Sequence, residues 1–183
     1  MTSPSPMSAP GTSSGRIQSA LLIPVPGAES LVGRLRLEHD PVAPEGVPAH
    51  ITLIVPWLPP AELVGDDFDE LVDALAQVKA FDFTLSHVGW FGRKVLWLGP
   101  EPAAPFLRLT SLLSERFGTP PWDDEFDEVV PHLTVAHASD GVELADEADA
   151  LAAQLPVACR AEEVWVMVGD RARWLVRRRV PLA

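Results

Sequence analysis

Cysteine occurs once in 183 residues, as Cys159. A disulfide framework within the chain is impossible, and a zinc site built from several cysteines is excluded. Tyrosine is absent, so any aromatic contact to a ligand falls to tryptophan or phenylalanine. No apolar run reaches the roughly 18 residues of a membrane-spanning helix. Basic residues are scarce: 14 Lys and Arg stand against 26 Asp and Glu, a formal charge of −12. Such a surface repels a long polyanion. This excludes phosphate neutralisation along extended nucleic acid as the main binding mode. A small phosphorylated ligand in a local pocket remains allowed.

Hydrophobic residues make up 47 % and charged residues 22 %, enough to bury a core without a metal or disulfide staple. The length fits one domain or two small lobes sharing a core. Residues 1–15, MTSPSPMSAPGTSSG, have no apolar segment and predict a disordered tail. They also lack the basic start and apolar stretch of a secretory signal, so a cytoplasmic protein is expected. Residues 16–183 are expected to form a single domain.

Apolar periodicity and Pro/Gly punctuation divide that domain. Strands are predicted at 19–25, 50–55, 81–90, 94–98, 132–138, 157–168 and 171–180. Helices are predicted at 29–38, 61–80, 105–117 and 142–155. The order is β-α-β-α-β followed by β-α-β-α-β-β, one pattern run through twice. Local sequence repeats with it: Pro48-Ala-His50-Ile-Thr52-Leu-Ile-Val corresponds to Pro131-His132-Leu-Thr134-Val-Ala.

Residues i and i+2 of a strand share a face. His50 therefore lies beside Thr52, with Ile54 continuing their face, and His132 beside Thr134 and Ala136. The same alternation turns His137 away from His132, as a structural or surface residue. Phosphodiester cleavage uses two such pairs. One imidazole takes a proton from attacking water and the other supplies one to the leaving alkoxide. The hydroxyls hold the non-bridging phosphate oxygens. Neither a metal nor a cofactor is required. A single His-x-Thr is weak evidence, because most strand histidines are structural. Two copies in equivalent places are much stronger.

With these motifs, the sequence resembles the 2H phosphoesterase superfamily, and within it the bacterial 2′-5′ RNA ligase-like, or cyclic phosphodiesterase, proteins. The motifs are His50-Ile51-Thr52 and His132-Leu133-Thr134, within Gly46-Val-Pro-Ala-His50-Ile-Thr-Leu-Ile-Val-Pro56 and Val130-Pro-His132-Leu-Thr-Val135. The resemblance covers nearly all of residues 19–181. It implies an α+β fold of two pseudo-symmetric lobes, with antiparallel sheets and flanking helices around a cleft carrying both motifs. It implies catalysis by His50 and His132, with Thr52 and Thr134 binding phosphate. The implied reaction opens a 2′,3′-cyclic phosphate or a related RNA or nucleotide phosphodiester. The expected partner is a small cyclic nucleotide or short RNA end, and the protein is expected to be monomeric. One departure is Trp57, where relatives often carry phenylalanine. With no tyrosine to stack on a base, Trp57 and Trp122 are the candidates, with Trp90 and Phe91 behind them.

The remaining features have blander readings. His39 and His87 sit in no motif and are assigned to structure, as is Cys159. Arg93-Lys94 and Arg171/Arg173 occupy turns, where exposed charge is ordinary. Alternation splits Arg177, Arg178 and Arg179 between two faces. The acidic run 123–128 reads as a solvated loop. Two rival functions use the same groups: a nucleotide- or RNA-end-binding module without turnover, and 2′-5′ RNA end-joining, against which the charge of −12 counts.

Overall fold

The computed structural model describes residues 17–121, 129–138 and 144–183. The expected tail, Trp122 and the acidic run 123–128 lie outside them. In chain order the strands are β1 (Gln18–Pro24), β2 (His50–Ile54), β3 (Phe81–Phe91), β4 (Val95–Glu101), β5 (Leu133–His137), β6 (Val157–Ala161), β7 (Glu163–Gly169) and β8 (Trp174–Pro181). The helices are α1 (Glu29–His39), α2 (Gly65–Leu75), α3 (Ala104–Phe117) and α4 (Ala145–Ala152). They build two four-stranded antiparallel sheets, ordered β2-β1-β7-β8 and β5-β4-β3-β6. This is the expected α+β class. No helix among the described residues is long and apolar enough to cross a membrane.

The two passes of the repeat are interleaved between the sheets. β1-α1-β2-α2 builds one side and then sends β3 to the other sheet, beside β4. β4-α3-β5-α4 repeats the path and sends β7 back beside β1. The strand expected over 157–168 is therefore two strands in different sheets. The chain turns at exposed Glu162, whose carbonyl accepts the Leu182 N–H at 2.8 Å. The helices exchange in the same way, since α1 packs against β5 and α3 against β2. Each motif strand is thus backed by the other pass's helix.

Local chemistry sets the helix limits. Pro105 sits in the first turn of α3, where a missing N–H costs nothing. Gly118 ends that helix at φ +62°, a left-handed cap that favours glycine. Phe106, Leu109, Thr110 and Leu113 form its buried stripe. Phe106 meets Phe81 and Phe83 edge-on, with centroids 5.1 and 5.0 Å away. α2 is shorter than its apolar pattern suggests. Asp67 accepts the Val64 N–H at 2.8 Å and fixes its start, while turns at Pro59–Glu62 and Leu75–Val78 occupy the flanks. One continuous apolar core joins the helices to the backs of both sheets. A smaller cluster of Leu22, Val47 and Met167, with Val42, Trp165 and Trp174, lies under the loop after α1.

Candidate active site

His50 opens β2, and His132 immediately precedes β5. Each is held in the same way. His50 Nδ1 lies 2.8 Å from the carbonyl oxygen of Pro48, and His132 Nδ1 lies 2.7 Å from that of Val130. A carbonyl oxygen only accepts, so Nδ1 carries the proton and donates in both rings. The neutral imidazole then presents Nε2 as its basic atom. The proline before the motif in one copy and before His132 in the other keeps the approaching chain extended.

Strand alternation stops at the same place in both copies. Leu21 pairs with Ile54 and Leu22 with Thr52, so Leu53 is an extra residue in β2. Leu96 pairs with Ala136 and Trp97 with Thr134, so Val135 is its counterpart in β5. Such a bulge reverses the facing of every residue after it. Ile54 and Ala136, expected beside their histidines, are fully buried. Val55 and His137, which strict alternation would turn to the opposite face, line the cleft with Thr52 and Thr134. The placement of His137 therefore corrects the alternation argument, and the cause is one additional residue in the ladder.

The cleft has a volume of about 310 Å³ and is lined by Ala20, Leu22, Asp40, Pro41, Val42, Val47, His50, Thr52, Val55, Thr134, His137 and Trp174. β2 and β5, the edge strands of the two sheets, meet beside it. His132 is not among the lining residues, although its charge acts on His50; it packs edge-on against Phe91 at 4.7 Å and lies near Trp97 at 6.1 Å. Trp97 fits there because Gly89 is opposite: a Cβ on Gly89 would come within 2.3 Å of the indole. Gly99 makes equivalent room for His87, which packs edge-on against Trp97 at 5.6 Å. A larger depression of about 480 Å³ lies beside Trp90 and Arg93, but neither motif lines it.

Burial pushes both motif histidines below the usual imidazole range. For His50 the desolvation is opposed by the Pro48 carbonyl and reinforced by the charges of Arg36 and His132, while Asp40 pulls the other way. For His132 the desolvation is opposed by the Val130 carbonyl and reinforced by His137. Arg36 and Asp40 form a buried ion pair behind this wall, with Nη2 2.8 Å from Oδ2. Arg36 also donates to the carbonyl of Val47 at 3.2 Å, which ties α1 to the cleft loop.

Trp57 does not serve as a stacking face. It is 4 % exposed and packs edge-on against Phe117 at 5.0 Å, because the prolines around it turn the chain into the core. Trp174 is the aromatic that lines the cleft, and the sequence reading passed over it. Its backbone N–H donates to the Glu45 carbonyl at 2.7 Å. Burial raises the pKa of the Glu45 carboxyl group, partly offset by the indole. Gly169 gives Trp174 room, since a Cβ there would lie 2.6 Å from the indole Cγ. Its position at the start of the last strand, after a tight turn, was the available signal. Neither Arg93, Lys94, Arg171 nor Arg173 lines the cleft.

The sequence model of the 2′-5′ RNA ligase superfamily matches residues 23–173. The chain belongs to this superfamily. No curated protein sequence matches it. Among solved structures, E. coli LigT complexed with 3′-AMP superposes with a TM-score of 0.57 at 21 % identity, over 91 % of this chain and 98 % of LigT. LigT complexed with NADP+ gives a TM-score of 0.57 at 20 % identity, over 93 % and 99 %. The protein TT0787 of Thermus thermophilus gives 0.52 at 19 % identity, over 90 % and 97 %. At such identities these likenesses establish the fold, and the superfamily is the 2H phosphoesterase group that the two motifs suggest.

Proposed function

We propose that this superfamily member is a phosphodiesterase that opens a 2′,3′-cyclic phosphate, or a related RNA or nucleotide phosphodiester, by two-histidine acid–base catalysis. The observation that carries this reading is the identical anchoring of two imidazoles by carbonyls two residues upstream, each followed by a threonine on the cleft. Further support comes from LigT, whose structures hold 3′-AMP, NADP+ and ATP.

In this scheme water attacks phosphorus, a new P–O bond forms, and one ribose P–O bond breaks. His50 Nε2 takes the proton from water. His132, protonated at Nε2 in the reactive complex, gives its proton to the departing ribose oxygen. Arg36 stands near His50 and disfavours its cationic form, which keeps this imidazole neutral and its Nε2 free to accept a proton. The bound phosphate anion favours the protonated form of His132, against the burial that lowers its pKa. Thr52 and Thr134 donate to the non-bridging oxygens, where negative charge accumulates.

The test is hydrolysis of a panel of nucleoside 2′,3′-cyclic phosphates, with and without chelator. His50→Ala and His132→Ala are each expected to lower kcat by about 10²-fold or more, with circular dichroism and melting showing a folded protein. Full activity in either variant would falsify the mechanism. Binding of nucleotide without turnover by the wild type would favour a binding module, and joining of cleaved RNA halves would favour a ligase.

A further inference from the structure

The bulges at Leu53 and Val135 make Val55 and His137 mirror positions of the cleft. His50 corresponds to His132 and Thr52 to Thr134, so the motif side chains by themselves give the ligand no direction. Val55 against His137 is the first position along these strands where the two sides differ in chemistry. We propose that His137 is a substrate-contacting residue that orients the ligand, drawing its anionic, hydroxyl-bearing end towards β5.

The surroundings divide in the same sense. Pro41, Val42, Val47, Val55 and Trp174 give the side of the first motif an apolar wall with one aromatic face. That wall suits a base, because a planar ring stacks on an indole without sequence preference. Among the described residues lining the cleft there is no lysine or arginine, and the one carboxylate, Asp40, is already bound by Arg36. His137 is exposed, and its ring makes no hydrogen bond to another described residue. An N–H donor is therefore available on this side for a phosphate oxygen or a ribose hydroxyl. The proximity of His137 to His132 adds to this, since its charge acts on that imidazole. A ligand held with its base against Trp174 and its polar end at His137 presents one ribose oxygen to His132, in one orientation.

This inference rests on the phosphodiesterase reading, and the experiment separates the two. Hydrolysis of adenosine 2′,3′-cyclic phosphate is measured for the wild type, His137→Val and His137→Gln, with the 2′- and 3′-phosphate products resolved by chromatography. Valine suits a strand and copies the mirror residue. Its expected effect is a KM raised by about fivefold or more, with kcat changed less. The product ratio is expected to shift by about threefold or more, a readout that a merely structural residue would leave alone. His137→Gln keeps an N–H donor and is expected to restore most of the wild-type ratio. Wild-type KM and product ratio in His137→Val would overturn the proposal. If the wild type shows no turnover, the reaction reading fails and equilibrium binding of 3′-AMP decides this one. Weaker binding by His137→Val supports it, while equal binding, or none by either protein, overturns it.

Discussion

Replacing Asp40 by asparagine removes one charge from the buried pair behind His50 and keeps the shape of the side chain. Both partners are 2 % exposed. Arg36 Nε and Nη2 reach Asp40 Oδ2 at 3.0 and 2.8 Å, and Asp40 Oδ1 accepts the Val42 N–H at 3.3 Å. Asparagine can still accept from Val42, but it leaves the guanidinium unpaired in a place water does not reach. Breaking one partner of such a pair costs about 3–5 kcal/mol, and the retained amide dipole places this case near 3 kcal/mol. For a chain of this size that corresponds to a melting temperature lower by roughly 6–12 °C. Urea unfolding and calorimetry at pH 7.5 measure both quantities, well above the range in which His50 charges. Adding Arg36→Met removes the stranded charge, and the double variant is expected to be about 2 kcal/mol more stable than Asp40→Asn alone. An Asp40→Asn protein within about 1 kcal/mol of wild type would refute the reasoning. So would a double variant showing the simple sum of two losses. The same substitution removes the carboxylate that favours protonation of His50, so the pKa of His50 is expected to fall further.

Two further predictions concern the imidazoles. His50 is held down to about pKa 4 by burial, so the unfolded chain binds this proton more readily than the folded one. Its contribution to stability is complete above about pH 6.5 and is lost as pH falls towards 4, by roughly 3 kcal/mol at most. Denaturant unfolding from pH 7.5 to 4.5 is expected to show a shallower slope for His50→Gln, and equal slopes would contradict the assignment. Gly89→Ala places a methyl group within 2.3 Å of the Trp97 ring. It is expected to cost about 1–3 kcal/mol and to lower kcat by displacing the indole near His132. Trp97→Leu in the same protein should recover the stability but not the activity, as melting and cyclic-nucleotide hydrolysis would show.

Much of the architecture was legible because it depends on local pattern. The apolar stripe of α3, its proline start and its glycine stop are written within residues 104–118, and the observed helix follows them closely. The repeated His-x-Thr motif drew attention to the strands that border the cleft. What alternation missed depends on a cross-strand partner. Nothing in Thr52-Leu-Ile-Val or Thr134-Val-Ala-His states that Leu53 and Val135 go unpaired in their ladders, yet those two residues decide which way Val55 and His137 face. Glu162 is similar, since an apolar run on both sides of it reads as one strand until each half finds a different sheet. Trp57, expected to stack on a base, lies in the core, while Trp174, for which no expectation was made, lines the cleft, for a related reason. Composition marks both as aromatic, and only packing against Phe117 or the Glu45 loop separates a core residue from a cleft residue.

The return of β7 to the sheet begun by β1, and the departure of β3 to the sheet containing β4, bear on ancestry as well as shape. A polypeptide holding only the first pass would own the β1-β2 pair and one strand whose neighbour it does not encode. A second copy, related by a twofold axis, would provide that neighbour and receive the same service in return. Its own His50 would then stand where His132 stands now, and one cleft would form from two identical chains. Fusion of two such genes preserves the cleft and frees each half to diverge. Val55 and His137 are the first positions from the motif histidines onward at which the two halves differ in chemistry. Separately expressed halves are accordingly expected to be inactive alone and to regain activity when mixed.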